Sequence, residues 1–201
     1  MKDLVALVAD KNMQFALDAG LKRHQSLGIR KIDFDILQHP GRDGGVRADG
    51  SELLRLQRGS YSHAVMVLDY EGSGAADSRG DLERQLDGLL ERTWGDDAKA
   101  IVIEAELESW IWGSDKAIQQ ILDWPHRVPI RTWLADRKFV VSDQGKPDRP
   151  KEAFEAVLRE CGKPRSASLY AGVVGRLSIR RCTDPALVRL RNKLKTWFGA
   201  T

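Results

Sequence analysis

Two apolar runs in this chain end in carboxylates. Residues 64–68 (AVMVL) lead directly into Asp69-Tyr70-Glu71-Gly72, and residues 100–103 (AIVI) into Glu104-Ala105-Glu106-Leu107-Glu108. A third acid, Asp10, closes the apolar run 4–9 (LVALVA). Runs this short and this apolar read as buried strands of a parallel sheet. Ligands of open α/β sheets sit beyond the carboxyl ends of such strands. Carboxylates gathered there suit a hard, oxygen-liganded cation, Mg²⁺ or Mn²⁺.

The spacing within each group matters. Asp69 and Glu71 are two residues apart and point the same way on an extended strand end. Glu104, Glu106 and Glu108 share one face of an extended chain, whereas a helix starting near Ala105 would align only Glu104 with Glu108. The ordinary alternative is an exposed acidic helix start, favoured by the helix dipole. If the first, third and fourth strands are neighbours, Asp10, Asp69, Glu71 and Glu106 or Glu108 converge and could hold one or two ions. Two ions would stabilise the attacking and leaving oxygens of a phosphodiester displacement, with Asp10, Asp69 and Glu71 as the acids nearest the chemistry.

The elements that must position these acids follow from periodicity. A helix is predicted over 12–27, stopped by Gly28, and a second strand over 29–37. The stretch 38–50 (QHPGRDGGVRADG) reads as a glycine-rich loop, with Ser51 capping a short helix to Leu56. A third strand at 63–68, a helix over 79–94 and a fourth strand at 98–104 complete a β-α-β-α-β-α-β order, which implies a parallel sheet flanked by helices. Beyond it lie a short helix at 116–122, a strand at 128–134, a loop at 142–149, and helices at 151–161, 166–174 and 184–198. The expected organisation is an α/β domain over 1–134 with a helical, basic extension over 135–201 packing on it. In the loop at 38–50, His39 and Arg42 are candidates for a phosphate contact, as is Lys151 at a helix start. Trp110 and Trp112 read as core, and His24, His63 and His126 as structural or surface residues.

Composition narrows the class. The 201 residues are 42% apolar and 30% charged, which fits a folded globular chain. No apolar stretch is long enough to span a bilayer, so no membrane partner is expected, and the N-terminus does not read as a secretory signal. The two cysteines, Cys161 and Cys182, lack metal-ligand spacing and suit free thiols in a reducing cytosol, so a cytoplasmic location is expected. The charge is uneven. Residues 1–126 hold 15 basic against 22 acidic groups, and residues 127–201 hold 17 against 7. Arg176, Arg180, Arg181, Arg189, Arg191, Lys193 and Lys195 could track a nucleic-acid backbone or form a solvated face.

Taken in order, a strand ending in an acid, a strand ending D-x-E, the run Glu106–Trp110 (ELESW) and Asp148-Arg149-Pro150-Lys151 before a helix resemble a known group. It is the TOPRIM-like family catalogued as domain of unknown function 4276, bacterial and often near phage-defence loci. The resemblance spans most of the chain, including the tail with Tyr170. It implies a TOPRIM-like α/β fold of the kind that topoisomerases, primases and OLD-type nucleases use on phosphodiesters, with acidic strand ends that bind Mg²⁺. Asp10 then stands for the first-strand glutamate, Asp69 with Glu71 for the D-x-D pair, and Glu106 with Glu108 for the family's E-x-E. The sequence departs from that pattern at Asp10-Lys11, where glutamate and glycine are preferred, and at Glu71. A component of an anti-phage defence system is the implied role. A catalytically inactive subunit binding nucleic acid or other defence proteins is the alternative, and a small-molecule nucleotide hydrolase a third.

Overall fold

The structure is a computed structural model and describes residues 1–140 and 145–199. Strand β1 (Lys2–Val8) leads into helix α1 (Lys11–Leu21), the short helix α2 (His24–Leu27) and strand β2 (Phe34–Gln38). Helix α3 (Arg42–Arg55) precedes β3 (Tyr61–Asp69), and α4 (Arg79–Trp94) precedes β4 (Ala98–Ile103). The remaining helices are α5 (Glu108–Ile111), α6 (Asp115–Leu122), α7 (Ile130–Asp136), α8 (Pro150–Glu160), α9 (Ala167–Val174) and α10 (Pro185–Phe198).

Among the described residues the four strands are all parallel, in the order β2-β1-β3-β4. The chain leaves β1 toward β2 and then returns past it to β3. The direction of winding therefore reverses between β1 and β3, and the crevice beyond their carboxyl ends is where this topology places ligands. Residues 4–8 and 64–68 are almost wholly inaccessible, as a sheet covered on both faces requires. Helices α3 and α4 cover one face. Helix α1, α9 and α10 meet on the other, around Leu17, Trp110, Val174 and Leu190.

Three expectations are corrected here. The stretch 38–50 is not a loop: most of it forms the first half of α3, and Ser51 lies inside that helix rather than capping one. Val46, Gly50 and Leu54 recur at helical spacing and are buried. The glycine at position 50 serves close packing, since a Cβ there would stand 3.0 Å from Leu7 Cδ2 and 3.2 Å from Met66 Cε. Second, 128–134 is no strand. Ile130, Trp133 and Leu134 are the buried face of α7, which also runs through the expected boundary at residue 134. Third, β2 starts only at Phe34; Ile29 instead pairs with Gly199 in an isolated antiparallel bridge. The loop at 142–149 lies partly outside the described residues.

The basic tail is largely spent on the fold. Arg189 pairs with Glu83 and donates to the Val102 carbonyl. Arg191 donates to the carbonyls of Ile179 and Arg180, Arg180 to that of Gln25, and Arg176 to that of Gly172. Lys193 lies over the Trp197 ring.

The glycines of the helices test this packing. Gly88 in α4 is exposed and has nothing near the place of a Cβ. Gly88→Ala is therefore expected to stabilise the chain by about 1 kcal/mol, raising Tm by about 2–4 °C. Gly45 in α3 is the opposite case: a Cβ would fall 2.2 Å from His39 Nδ1. Gly45→Ala should displace the ring and cost about 1–3 kcal/mol despite alanine's higher helix propensity. Thermal denaturation of the two variants checks both signs.

Candidate functional site

An open cleft of about 1120 Å³ lies beyond the ends of β1 and β3. Its walls carry Asp10, Asp43, Asp69, Glu106 and Glu108, with Lys11, Arg42, Lys151 and Arg165 among them. Each acid is held by a local device. Asp10 is the N-cap of α1, its Oδ1 accepting from the Met13 N–H at 2.8 Å. Asp43, in the first turn of α3, accepts the Asp69 N–H at 2.7 Å. Past the strand ends, the Tyr70 N–H reaches the Ile103 carbonyl and the Glu71 N–H reaches that of Ala105. These bonds prolong the pairing of β3 with β4 into the site. Ala105 has φ 59° and Arg42 φ 51°, left-handed conformations that cost a non-glycine residue about 1–2 kcal/mol. Such strain clusters at functional positions.

The carboxylates do not share one environment. Asp69 Oδ1 is sealed from solvent and has no hydrogen-bond partner among the described residues. Burial, then the charges of Asp43 and Glu108, push the Asp69 carboxyl well above the usual range, while the Leu107 N–H works the other way. Asp43 is also raised, first by burial, with Asp10 and Glu106 adding to it and the Asp69 N–H opposing. Glu108 is buried and raised by desolvation, which its hydrogen bond from the Tyr170 hydroxyl and the Arg165 charge partly offset. Glu106 is paired with Lys151 at 2.6 Å, which lifts the Lys151 ammonium above its ordinary value. Arg165 stands 2.9 Å from Glu108.

The structure thus brings together Asp10, Asp69, Glu106, Glu108 and Lys151 of the residues singled out from sequence. Arg42 also lines the cleft, exposed and without a side-chain hydrogen bond or ion pair among the described residues. His39 lines it too, with a buried ring whose Nδ1 accepts the Gly41 N–H at 2.9 Å; Nε2 lies 2.8 Å from Asp49 Oδ1 but makes no aligned hydrogen bond among the described residues. Glu71 is not brought in. It is exposed at the start of the 3₁₀ turn Glu71–Ser73 and lines no part of the cleft. Asp43, hidden in the stretch read as a loop, flanks Asp69 instead. Arg165 and Tyr170 were also missed as site residues, having no local motif.

The donor set fits a hard cation. All the acids present oxygen, and Asp69 keeps a buried oxygen that nothing among the described residues satisfies. Among the described residues, no three acidic, imidazole or thiol groups are placed to hold one ion by themselves. Mg²⁺ does not demand that, since it commonly retains waters and binds through one or two carboxylates together with substrate phosphates.

No family model matches the sequence, and no curated protein does. Among solved structures, the chain is similar to the C-terminal region of the Burkholderia pseudomallei OLD protein. The TM-score is 0.51, with 11% identity over 98% of each chain. The fold is TOPRIM-like. In this TOPRIM-like sheet the acids of β1 and β3 flank the reversal of winding, and the run after β4 supplies Glu106 and Glu108. No helix among the described residues is long and apolar enough to cross a membrane.

Proposed function

We propose that this TOPRIM-like chain binds Mg²⁺ or Mn²⁺ in the strand-end cleft and acts there on phosphodiesters of nucleic acid. The observation that carries this reading is Asp69 Oδ1, a buried carboxylate oxygen with no partner among the described residues, beside Asp43 and Glu108 and with Asp10 on the same cleft wall, at the reversal point of the sheet. Asp69 with one neighbouring acid, Asp43 or Asp10, would hold the ion, with retained waters and substrate phosphates completing its shell. When bound, it supplies a Lewis acid for a phosphoryl oxygen and neutralises the acids around it. The protein's own part is positioning. Arg42 and Lys11 offer cations at the cleft wall for phosphate oxygens, and Lys151 can exchange Glu106 for a phosphate. Tyr170 and Arg165 fix the Glu108 carboxylate.

A second reading has its own support. Lys151 and Arg165 already neutralise Glu106 and Glu108, which suits a binding subunit that retains the fold without turnover. Incubation with single- and double-stranded DNA and RNA in Mg²⁺ or Mn²⁺ separates the two: cleavage supports the first, and salt-sensitive binding without cleavage the second. A role in anti-phage defence, with other defence proteins as partners, rests on the sequence resemblance alone. Lys151→Gln should weaken duplex binding and lower its log–log salt slope by about 0.9, the share of one phosphate contact. An unchanged slope from a salt titration would remove Lys151 from the interface.

A further inference from the structure

A second concave surface lies between α6 and the segment leading to α7, and shares no residue with the acidic cleft. Asp123 ends α6 in a left-handed conformation, and the chain then runs Trp124-Pro125-His126-Arg127-Val128-Pro129. This segment is pre-formed. The Trp124 N–H returns to the Gln119 carbonyl, the indole Nε1 donates to the Val128 carbonyl at 3.0 Å, and two prolines restrict the backbone. Trp124 stands edge-on to Trp133 at 5.3 Å and to His126 at 5.0 Å, which sets its ring plane. The resulting open groove, about 480 Å³, is lined by Trp124, His126, Lys116, Arg127 and the amides of Gln119 and Gln120.

Its electrostatics are one-sided. The acids nearby are already engaged: Asp115 with Arg131, Asp123 with Lys163, and Glu160 with His126. Lys116 and Arg127 have no ion pair among the described residues, and the side-chain amides of Gln119 and Gln120 make no hydrogen bond there. An aromatic platform, two amides and two unspent cations match a base for stacking, its polar edge and the flanking phosphates.

We propose that this groove binds single-stranded nucleic acid, a base stacking on Trp124 while Lys116 and Arg127 meet the backbone. It shares its ligand class with the function proposed above, but does not depend on the cation. The test is fluorescence anisotropy of a labelled oligothymidylate of about 8 nucleotides, beside an abasic strand of the same length, without divalent ions. Trp124→Ala should weaken binding of the thymidylate about tenfold or more, and Trp124→Phe should largely restore it. The abasic strand should bind the wild type more weakly and ignore the substitution. Lys116→Gln with Arg127→Gln, both exposed positions, should lower the salt slope by about 0.7 per charge, an independent reading if Trp124→Ala fails to fold. Equal affinity for both strands, or an unaltered slope in the double variant, overturns the proposal. Binding should persist in excess EDTA, so loss of the cation site and loss of the groove are distinguishable.

Discussion

Asp69→Asn is expected to raise the melting temperature of the cation-free protein while abolishing its response to Mg²⁺. The carboxylate is buried among Asp43, Glu106 and Glu108, and one of its oxygens has no partner. An isosteric amide removes the charge, can still accept from the Leu107 N–H, and offers donors to the neighbouring Asp43 carboxylate. The gain near neutral pH should be about 2 kcal/mol, or about 4–8 °C for a chain of this size. Where the wild type gains stability from millimolar Mg²⁺ by mass action, the variant should gain none.

The pH dependence carries the sign. A carboxyl whose folded pKa is raised gives the folded state more bound protons than the unfolded one, so its contribution falls as pH rises. For Asp69 that contribution is complete below the ordinary aspartate value of 3.8 and is lost as pH climbs through the higher folded value. The Tm difference between Asp69→Asn and wild type should therefore be small in acid and widen toward neutral pH. The depressed His63 runs in the opposite direction and is common to both proteins, so it drops out of the difference, which reads Asp69 together with its coupling to the raised Asp43 and Glu108. Differential scanning fluorimetry with and without Mg²⁺ across pH reads it. A pH-independent offset, or a surviving Mg²⁺ shift, would sink the assignment of Asp69 as the central ligand.

How much of this site could be read in the sequence depends on what places each residue. Asp10 and Asp69 terminate apolar runs, and strand ends are positions that hydrophobic patterning marks well. Asp43 was masked because α3 presents glycine to the sheet. Gly45 and Gly50 allow close approach to His39, Leu7 and Met66, and the same glycines look like a loop when only composition is seen. Glu71 was favoured by its spacing from Asp69 on an extended chain, but the chain turns into a 3₁₀ helix at that point and the alternation no longer applies. Arg165 and Tyr170 meet Glu108 across 57 and 62 residues of sequence, a pairing fixed by the docking of the tail and by no local pattern. The basic tail was legible as charge but not as structure, because sequence does not show which arginines find carbonyls.

That last point yields the second large effect. Glu83→Ala should lower stability by about 3 kcal/mol, a fall in Tm of about 6–12 °C. Glu83 sits on α4, is nearly inaccessible, and faces three elements at once. It accepts the Val102 N–H of β4 at 3.0 Å, pairs with Arg79 of its own helix at 3.0 Å, and pairs with Arg189 of α10 at 2.8 Å. Removing it leaves two guanidinium groups and a strand N–H without their acceptor, and breaking a buried pair on one side costs more than the pair itself contributes. Arg189→Ala should cost less, because Arg79 and the Val102 N–H still satisfy Glu83. The double variant should be less destabilised than the sum of the two, since each substitution removes the same contact. Additive losses in chemical denaturation would mean that Glu83 and Arg189 act independently. A clear shortfall would show that the charge asymmetry of the chain, positive tail against negative body, is used at this point to hold α10 on the sheet.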